Sequence, residues 1–412
     1  MRLAKVWQRL LGVERTVVEG VVFDEDDELI VASVRPCKGA RSRCGICQCR
    51  CPGYDRGAGR RRWRTLDLGT IPAYLEADAP RVSCPEHGVV VASVPWARHG
   101  AGHTYGFDDQ AAWLATHCSK SAVRELLRVT WRTVGAIVGR VVADARASRD
   151  PLEGLRRIGI DEISYRRGYK YLIVVVDHDT GALVWAKPDR TRATVRAFFD
   201  ELGAQRCAAI RLVSADAADW IADVVAERCP NAIRCMDPFH VVAWASKALD
   251  EVRREVWNAA RKKGMKAVAG QMQGARFALW KNPEDLTDNQ AATLAWIARA
   301  NHKLYRAYLI KEQLRAVFEL KDIRGVAMLE KWLAWACRCR IGPIVEVATM
   351  VRRHRVAIEA ALIHGLSNAR IEAVNTKIRL LQRIAFGYRE PEALIAMAML
   401  DLGGCCPSLP GR

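Results

Sequence analysis

Residues 157–164, RIGIDEIS, read as a short apolar strand that delivers two adjacent carboxylates, Asp161 and Glu162, to its end. A second apolar run, 208–214 (AAIRLVS), closes on Asp216, and a third, 232–236, closes on Asp237 followed by Pro238, Phe239 and His240. An acid after a strand is often only a turn former; several acids converging are a donor set for hard divalent cations. A softer donor set lies upstream. Cys44 and Cys47 bound one knuckle, and Cys84 and His87 bound another. Together they supply four sulfur and nitrogen ligands, the tetrahedral set that structural zinc takes. Cys37, Cys49 and Cys51 are surplus thiols that compete for a ligand position.

The chain carries 64 Lys and Arg against 46 Asp and Glu, a net charge of +18 over 412 residues, half of them hydrophobic. That length supports roughly two to four units with real cores, and a field of that sign attracts polyanions, nucleic acid first. The opening residues, MRLAKVWQRLLG, are interrupted by Lys5, Gln8 and Arg9 and lack the apolar core of a signal peptide. No run approaches the roughly 18 apolar residues of a membrane span. These features predict a cytoplasmic, nucleoid-associated protein with no membrane partner, in which the 14 cysteines are thiols or metal ligands rather than disulfides.

Residue period predicts the elements that must hold these donors. Residues 1–36 contain a hairpin over 16–35, and 37–103, rich in Cys, Gly and Arg, form the zinc-binding module. In it Arg60, Arg61 and Arg62 are read equally as a phosphate-contacting strip or a solvated charge run. Within 104–149, SKSAVRELLRVTWRTVGAIVGRVVADAR predicts a helix over 120–127, a turn at 128–130 and a second helix from Trp131 to about Arg146, capped by Thr130. Leu126, Leu127, Val129, Val134, Ile137 and Val138 pack the pair. This is a helix-turn-helix with Trp131, Arg132 and Thr133 at the groove-facing start of the recognition helix; an ordinary helical hairpin is the other reading. Residues 150–240 follow the order strand, strand, strand, helix, strand, helix, strand, the helices falling at 191–205 and near 217–229. Residues 241–361 are helical and basic, with Arg253, Arg353 and Arg355 among the cations, and hold six of the 13 tryptophans, which suit a core better than base stacking. Residues 362–402 return to the catalytic domain, and 403–412 form a flexible tail.

That order, with one acid on the first strand and another after the fourth, resembles the ribonuclease H-like fold of retroviral integrases and DDE transposases, an α/β catalytic domain whose mixed sheet is here interrupted by a helical insertion. The resemblance implies a last helix carrying a glutamate. Residues 367–387, SNARIEAVNTKIRLLQRIAFG, supply one, with Asn368 as N-cap and Gly387 as stop. Ile371, Val374, Ile378, Leu381 and Ala385 form its apolar stripe, and Glu372 faces the other way with Asn375, Arg379 and Arg383. Three carboxylates within about 4 Å repel by roughly 4 kcal/mol per pair at an effective dielectric of 20. Divalent cations make such a cluster sensible: two Mg²⁺ (or Mn²⁺) ions about 3.5–4 Å apart serve in-line displacement at phosphorus.

GIDEIS, the strand ending at Asp216, DPFH at 237–240 and NARIEAVNTKIRLLQRIAFGYR are similar to the bacterial insertion-sequence transposases of the ISL3 family. That family places a cysteine-knuckle module and a helix-turn-helix ahead of its catalytic domain, so the likeness covers nearly the whole chain. It implies that Asp161, Asp216 and Glu372 are catalytic and hold the magnesium ions, and that Lys377, Arg379 and Arg383 contact phosphates of the transposon end. Asp237 and His240 are auxiliary: Asp237 provides an extra ligand, orients water, or simply begins a turn. His87 departs from the pattern, standing where a fourth cysteine is expected. The implied activity is binding of terminal inverted repeats by the zinc module and helix-turn-helix within a homodimer or larger synaptic complex, then hydrolysis at the element's ends and attack of the freed 3′-hydroxyl on target DNA. A non-enzymatic DNA-binding regulator, such as a domesticated transposase, and a structure-selective nuclease are the alternatives.

Overall fold

Alternating apolar residues produce the first hairpin, and its remaining partners come from between the two cysteine knuckles. The computed structural model describes residues 3–320 and 322–409. In it α1 (Leu3–Leu10) precedes β1 (Thr16–Asp24) and β2 (Leu29–Pro36), and β3 (Gly53–Asp55), β4 (Arg60–Leu68), β5 (Ile71–Asp78), β6 (Arg81–Cys84) and β7 (Gly88–Val91) follow. β4 and β5 join the hairpin in a four-stranded sheet of order β1-β2-β5-β4, whereas β3, β6 and β7 make a separate three-stranded sheet. The inward row of β5, Ala73, Leu75 and Ala77, is fully buried. It packs beside Trp63 and Trp96, whose rings meet edge to face at 5.5 Å. The long separation of the knuckles is therefore occupied by half of another sheet. The arginine strip is largely tied down: Arg60 and Arg62 share Glu76, and Arg61 donates to the Ala101 carbonyl.

Next come α2 (Tyr105–His117), α3 (Lys120–Leu127) and α4 (Trp131–Ser148). The helix-turn-helix forms where expected. Thr130 accepts the Thr133 N–H at 3.1 Å, and Arg128 makes the turn at φ 53°. One packing expectation fails: Leu126 is 61% exposed, and Val123 with Leu127, four residues apart on one face, fills the contact instead. Buried Asp108 binds Arg140 and Arg98 and so ties α2 to α4 and to the preceding loop.

The Val- and Ile-rich region gives β8 (Arg157–Arg166), β9 (Lys170–Asp177), β10 (Leu183–Pro188), α5 (Arg192–Leu202), α6 (Ala204–Cys207), β11 (Leu212–Ala215), α7 (Asp219–Arg228) and β12 (Ile233–Met236). The sheet order is β10-β9-β8-β11-β12; β8, β9 and β10 are antiparallel neighbours, while β11 runs parallel to both β8 and β12. β11 is shorter than the apolar run 208–214 suggests, because residues 208–210 continue the helical turns of α6, with the Ala208 N–H on the Ala204 carbonyl. Phe198, Phe199, Ile221 and Val224 of α5 and α7 bury one face of the sheet.

Then follow α8 (Pro238–Lys262), α9 (Lys266–Gly274), α10 (Arg276–Trp280), α11 (Asp288–Ala300), α12 (His302–Glu319), α13 (Asp322–Ala336), α14 (Gly342–Arg353), α15 (Arg355–His364) and α16 (Ala369–Ile384). The helices up to α15 share a core in which Trp332 is fully buried, its indole N–H on the Ile310 carbonyl at 2.8 Å, with Trp244, Trp257, Trp296 and Trp335 packed around. The expected basic surface is reduced: Arg253 is buried against Asp250, Arg353 pairs with Asp219, and Arg355 with Glu330 and Glu359. Among the described residues no helix is long and apolar enough to cross a membrane.

His178, just past β9, is 4% exposed and shares a 2.7 Å hydrogen bond with Ser214 of β11. Burial first, then the nearby Arg370 and Arg157 cations, depress its pKa to about 4. Since the unfolded imidazole titrates near 6.5, its contribution to stability is present above that pH and is lost as pH falls towards about 4. Urea unfolding from pH 7 to 4 should show this loss, and His178→Gln should flatten part of the slope.

Met1–Pro151 with Leu380–Arg412 form one compact unit, and Leu152–Arg379 form the other. α17 (Pro391–Leu402) belongs to the first, where Leu394, Met397, Ala398 and Leu402 are buried and the helix packs on α4. The stop of α16 is as expected: Gly387, at φ 99°, donates to the Gln382 carbonyl. The flexible-tail expectation is corrected for residues 403–409, where Cys405 is buried and the Cys406 sulfur lies 3.8 Å from the Thr116 hydroxyl; its last residues, 410–412, lie outside the described part.

Candidate active site and metal centres

The acidic site follows from strand register. Ile160 of β8 pairs with Ala215 of β11, and Ala215 pairs with Met236 of β12. The next residues, Asp161, Asp216 and Asp237, therefore stand level, one strand spacing of about 4.8 Å apart. Asp161 accepts the Glu162 N–H at 2.8 Å and the Asn375 side-chain amide at 2.7 Å. Asp237 is 2% exposed and sits at the head of α8 without capping it. Its carboxylate accepts instead from the Asn368 N–H at 3.2 Å and from His240 Nδ1 at 3.0 Å, which ties the start of α16 to the end of β12.

His240 Nδ1 is also 3.0 Å from Asp216 Oδ1. One N–H cannot point at both carboxylates. The directed bond goes to Asp237, and Asp216 Oδ1 is left buried without a hydrogen-bond donor. The donor atoms of Asp216, Asp237 and His240 all lie within 4.8 Å of one another. The two carboxylates at 3.0 Å, Asp216 and Asp237, outweigh burial and push the His240 pKa up to about 10. Burial, and then the Asp216 charge, push Asp161 up to about 6. An unneutralised acid row is what these shifts describe, and a cation relieves it.

Glu372 stands on the exposed face of α16, outside that close group of donors. It is nevertheless within electrostatic reach: burial, then Asp237 and Asp216, raise its pKa. Asn375 corrects the expected face. It is 2% exposed rather than outward with the arginines, because its position four residues after Ile371 also places it at the edge of the buried stripe. Lys377, Arg379 and Arg383 are exposed, and among the described residues no ion pair engages them. Asn368 precedes α16 as expected, yet its side-chain nitrogen and oxygen are buried without partners.

Gly159 explains how α16 approaches so closely. A Cβ there would stand 2.1 Å from Ile371 Cδ1 and 2.8 Å from His178 Nε2. Gly159→Ala should therefore cost about 1–3 kcal/mol of overpacking, read as a lower urea midpoint, and should displace the helix that carries Glu372 and Asn375.

The zinc donors also converge. Cys44, Cys47, Cys84 and His87 bring their ligand atoms within 4.8 Å of one another. A tetrahedral ion with bonds of about 2.3 Å to sulfur needs ligand separations of roughly 3.8 Å. The Cys47 and Cys84 sulfurs are 3.7 Å apart, and His87 Nδ1 is 3.8 Å from Cys44 and 3.6 Å from Cys84. The backbone and side chain of His87 draw the Cys84 thiol down to about 6, favouring the thiolate that binds metal. Cys37, Cys49 and Cys51 stay outside the quartet, although Cys51 is buried close to it. At the head of α4, Trp131 and Arg132 are exposed, while the Thr133 hydroxyl is spent on Thr130 at 2.9 Å.

A family model described as the transposase domain of the ISL3 group matches residues 158–398. The helix-turn-helix domain of transposase family ISL3 matches 92–142, and the zinc-finger of transposase IS204/IS1001/IS1096/IS1165 matches 40–87. The chain is similar to the transposase for insertion sequence element IS1557 of Mycobacterium tuberculosis, at 58% identity over 436 aligned positions covering 100% of this chain and 98% of the relative. It is also similar to the transposase for insertion sequence element IS1001 of Bordetella parapertussis, at 25% identity over 94% of this chain and 95% of that one.

Proposed function

Since the chain belongs to the ISL3 family of insertion-sequence transposases, we propose that it binds the terminal inverted repeats of its own element and catalyses metal-dependent cleavage of their ends and strand transfer into target DNA. The observation that carries this reading is the level row Asp161, Asp216 and Asp237, with the buried, donorless Oδ1 of Asp216 at its centre. The sheet order, three antiparallel strands followed by two parallel ones, supports a ribonuclease H-like description of the catalytic domain.

Asp161, Asp216 and Glu372 are the catalytic acids in this proposal. Two Mg²⁺ (or Mn²⁺) ions, when held there, supply activation of the attacking oxygen and charge stabilisation at the leaving oxygen. Asn375 fixes one Asp161 oxygen and leaves the carboxylate oriented. Asp237 is a positioning residue, because the Asn368 N–H and His240 already occupy it. Lys377, Arg379 and Arg383 present free cations to end phosphates. Cys44, Cys47, Cys84 and His87 hold a structural zinc, and Trp131 and Arg132 enter the groove while Thr133 fixes the helix start. A homodimer or larger synaptic complex brings two ends together.

The test is incubation of the purified full-length chain with duplexes of its element's ends, Mg²⁺ and a supercoiled target. Joined products that require Mg²⁺ are expected. Cutting without joining would instead identify a structure-selective nuclease, and binding without nicking a DNA-binding regulator.

A further inference from the structure

We propose that the tip of the β8–β9 hairpin, Arg166, Arg167, Tyr169 and Lys170, grips the phosphate backbone of duplex DNA about half a helical turn from the scissile phosphate. The position of that phosphate rests on the transposase reading; the grip itself does not. Arg166, Arg167 and Lys170 are exposed, and among the described residues no carboxylate pairs with them. Arg157, Arg192 and Arg196 of this domain are neutralised by Asp179, Asp223 and Glu227, whereas the hairpin tip, like Lys377 and Arg379 of α16, keeps its charge. Charge left uncompensated at one projecting point suits a polyanion.

The ribbon is braced at its base. Arg190 pairs with Glu162 and lies 5.3 Å over the Tyr171 ring, and the Asp189 N–H donates to the Tyr171 carbonyl at 3.0 Å. Beyond Tyr171, among the described residues, the ribbon is held by its own pairing and by its turn, which takes Gly168 to φ 86° and Tyr169 to φ 60°. Glycine would occupy the second of those positions without strain, yet a tyrosine stands there, 90% exposed. An exposed aromatic hydroxyl among three cations matches the side chains that contact phosphate and sugar, and a two-stranded ribbon fits the major groove between those phosphates. Arg166 lies five residues beyond Asp161 on β8. That is about 17 Å along a strand, or about five base pairs of duplex at roughly 3.4 Å each.

The experiment uses the full, zinc-loaded chain with no chelator and no added Mg²⁺ or Mn²⁺, on a duplex carrying the element's end and its flank, so that no cleavage is needed. Wild type should protect the backbone about five base pairs from the end–flank junction. Joint substitution Arg166→Ala, Arg167→Ala and Lys170→Ala should remove that protection, lower affinity roughly 100-fold at about 0.15 M salt and make the salt slope shallower by about 2.7. Tyr169→Gly relieves the turn and should leave melting unchanged or higher while still weakening binding. Unchanged slope and protection in the triple variant, or no wild-type protection at that offset, would overturn the proposal. Absence of nicking by a wild type that does protect this position would count against the transposase reading alone.

Discussion

Asp161→Asn is expected to abolish end cleavage and strand transfer, a loss of at least about 10³-fold in rate, or roughly 4 kcal/mol, while leaving binding of the ends largely intact. The substitution keeps the shape and one acceptor, which Asn375 can still bond, but removes the charge and puts an NH₂ where the other oxygen accepted the Glu162 N–H. Burial beside Asp216 already holds this carboxyl at about 6, above its unfolded value near 3.9. Ionised Asp161 therefore opposes folding: the stability it costs appears as pH rises through that window. At pH 7 without divalent cations the variant should lie within about 1 kcal/mol of wild type, relief of the buried charge offsetting the lost bond to the Glu162 N–H. Wild type should gain thermal stability from Mg²⁺, and the variant should gain far less. Retained cutting by the variant, or equal Mg²⁺ stabilisation of both, would remove Asp161 from the site.

Loss of zinc should have the other large effect. Structural zinc contributes apparent binding free energies of about 10–16 kcal/mol in small finger domains. Here the effect should be smaller, because β4 and β5, which lie between the knuckles in sequence, have their own apolar core with Trp63 and Leu75. Cys47→Ser or chelation should leave that sheet folded while melting the β3-β6-β7 ribbon, since beside its cysteines Val82, Val90 and Ala92 make up its small core. Metal analysis should fall from one zinc per chain to none, and affinity for the inverted repeat should drop more than about 10-fold if the module reads the ends as proposed. Full affinity in a zinc-free protein would contradict the role given to the module.

Much of the acid site was legible because its strands announce themselves. Apolar runs that stop at Asp161, Asp216 and Asp237 fix the ends of β8, β11 and β12, and parallel pairing then levels the three acids. What escaped a linear reading depends on contacts between distant segments. Asn375 belongs to both the outward and the buried spacing of α16, and only docking on β8 decides that it meets Asp161. Gly159 looked like part of a strand, and its need for no side chain comes from Ile371, more than two hundred residues later. Leu126 matched a helical stripe that α4 does not cover, and Cys405, assigned to a loose tail, is buried.

The packing of α17 on α4 has a consequence for biosynthesis. The unit Leu152–Arg379 is continuous in the chain, so it can close while translation proceeds, whereas the unit begun first must wait for residues 391–402 to leave the ribosome. Domains usually mature from the amino end onward; here the reverse order is expected, because the first unit is completed only by α17. A nascent chain without residues 391–402 lacks the helix that packs on α4, so the helix-turn-helix region should gain its full packing only after that segment emerges.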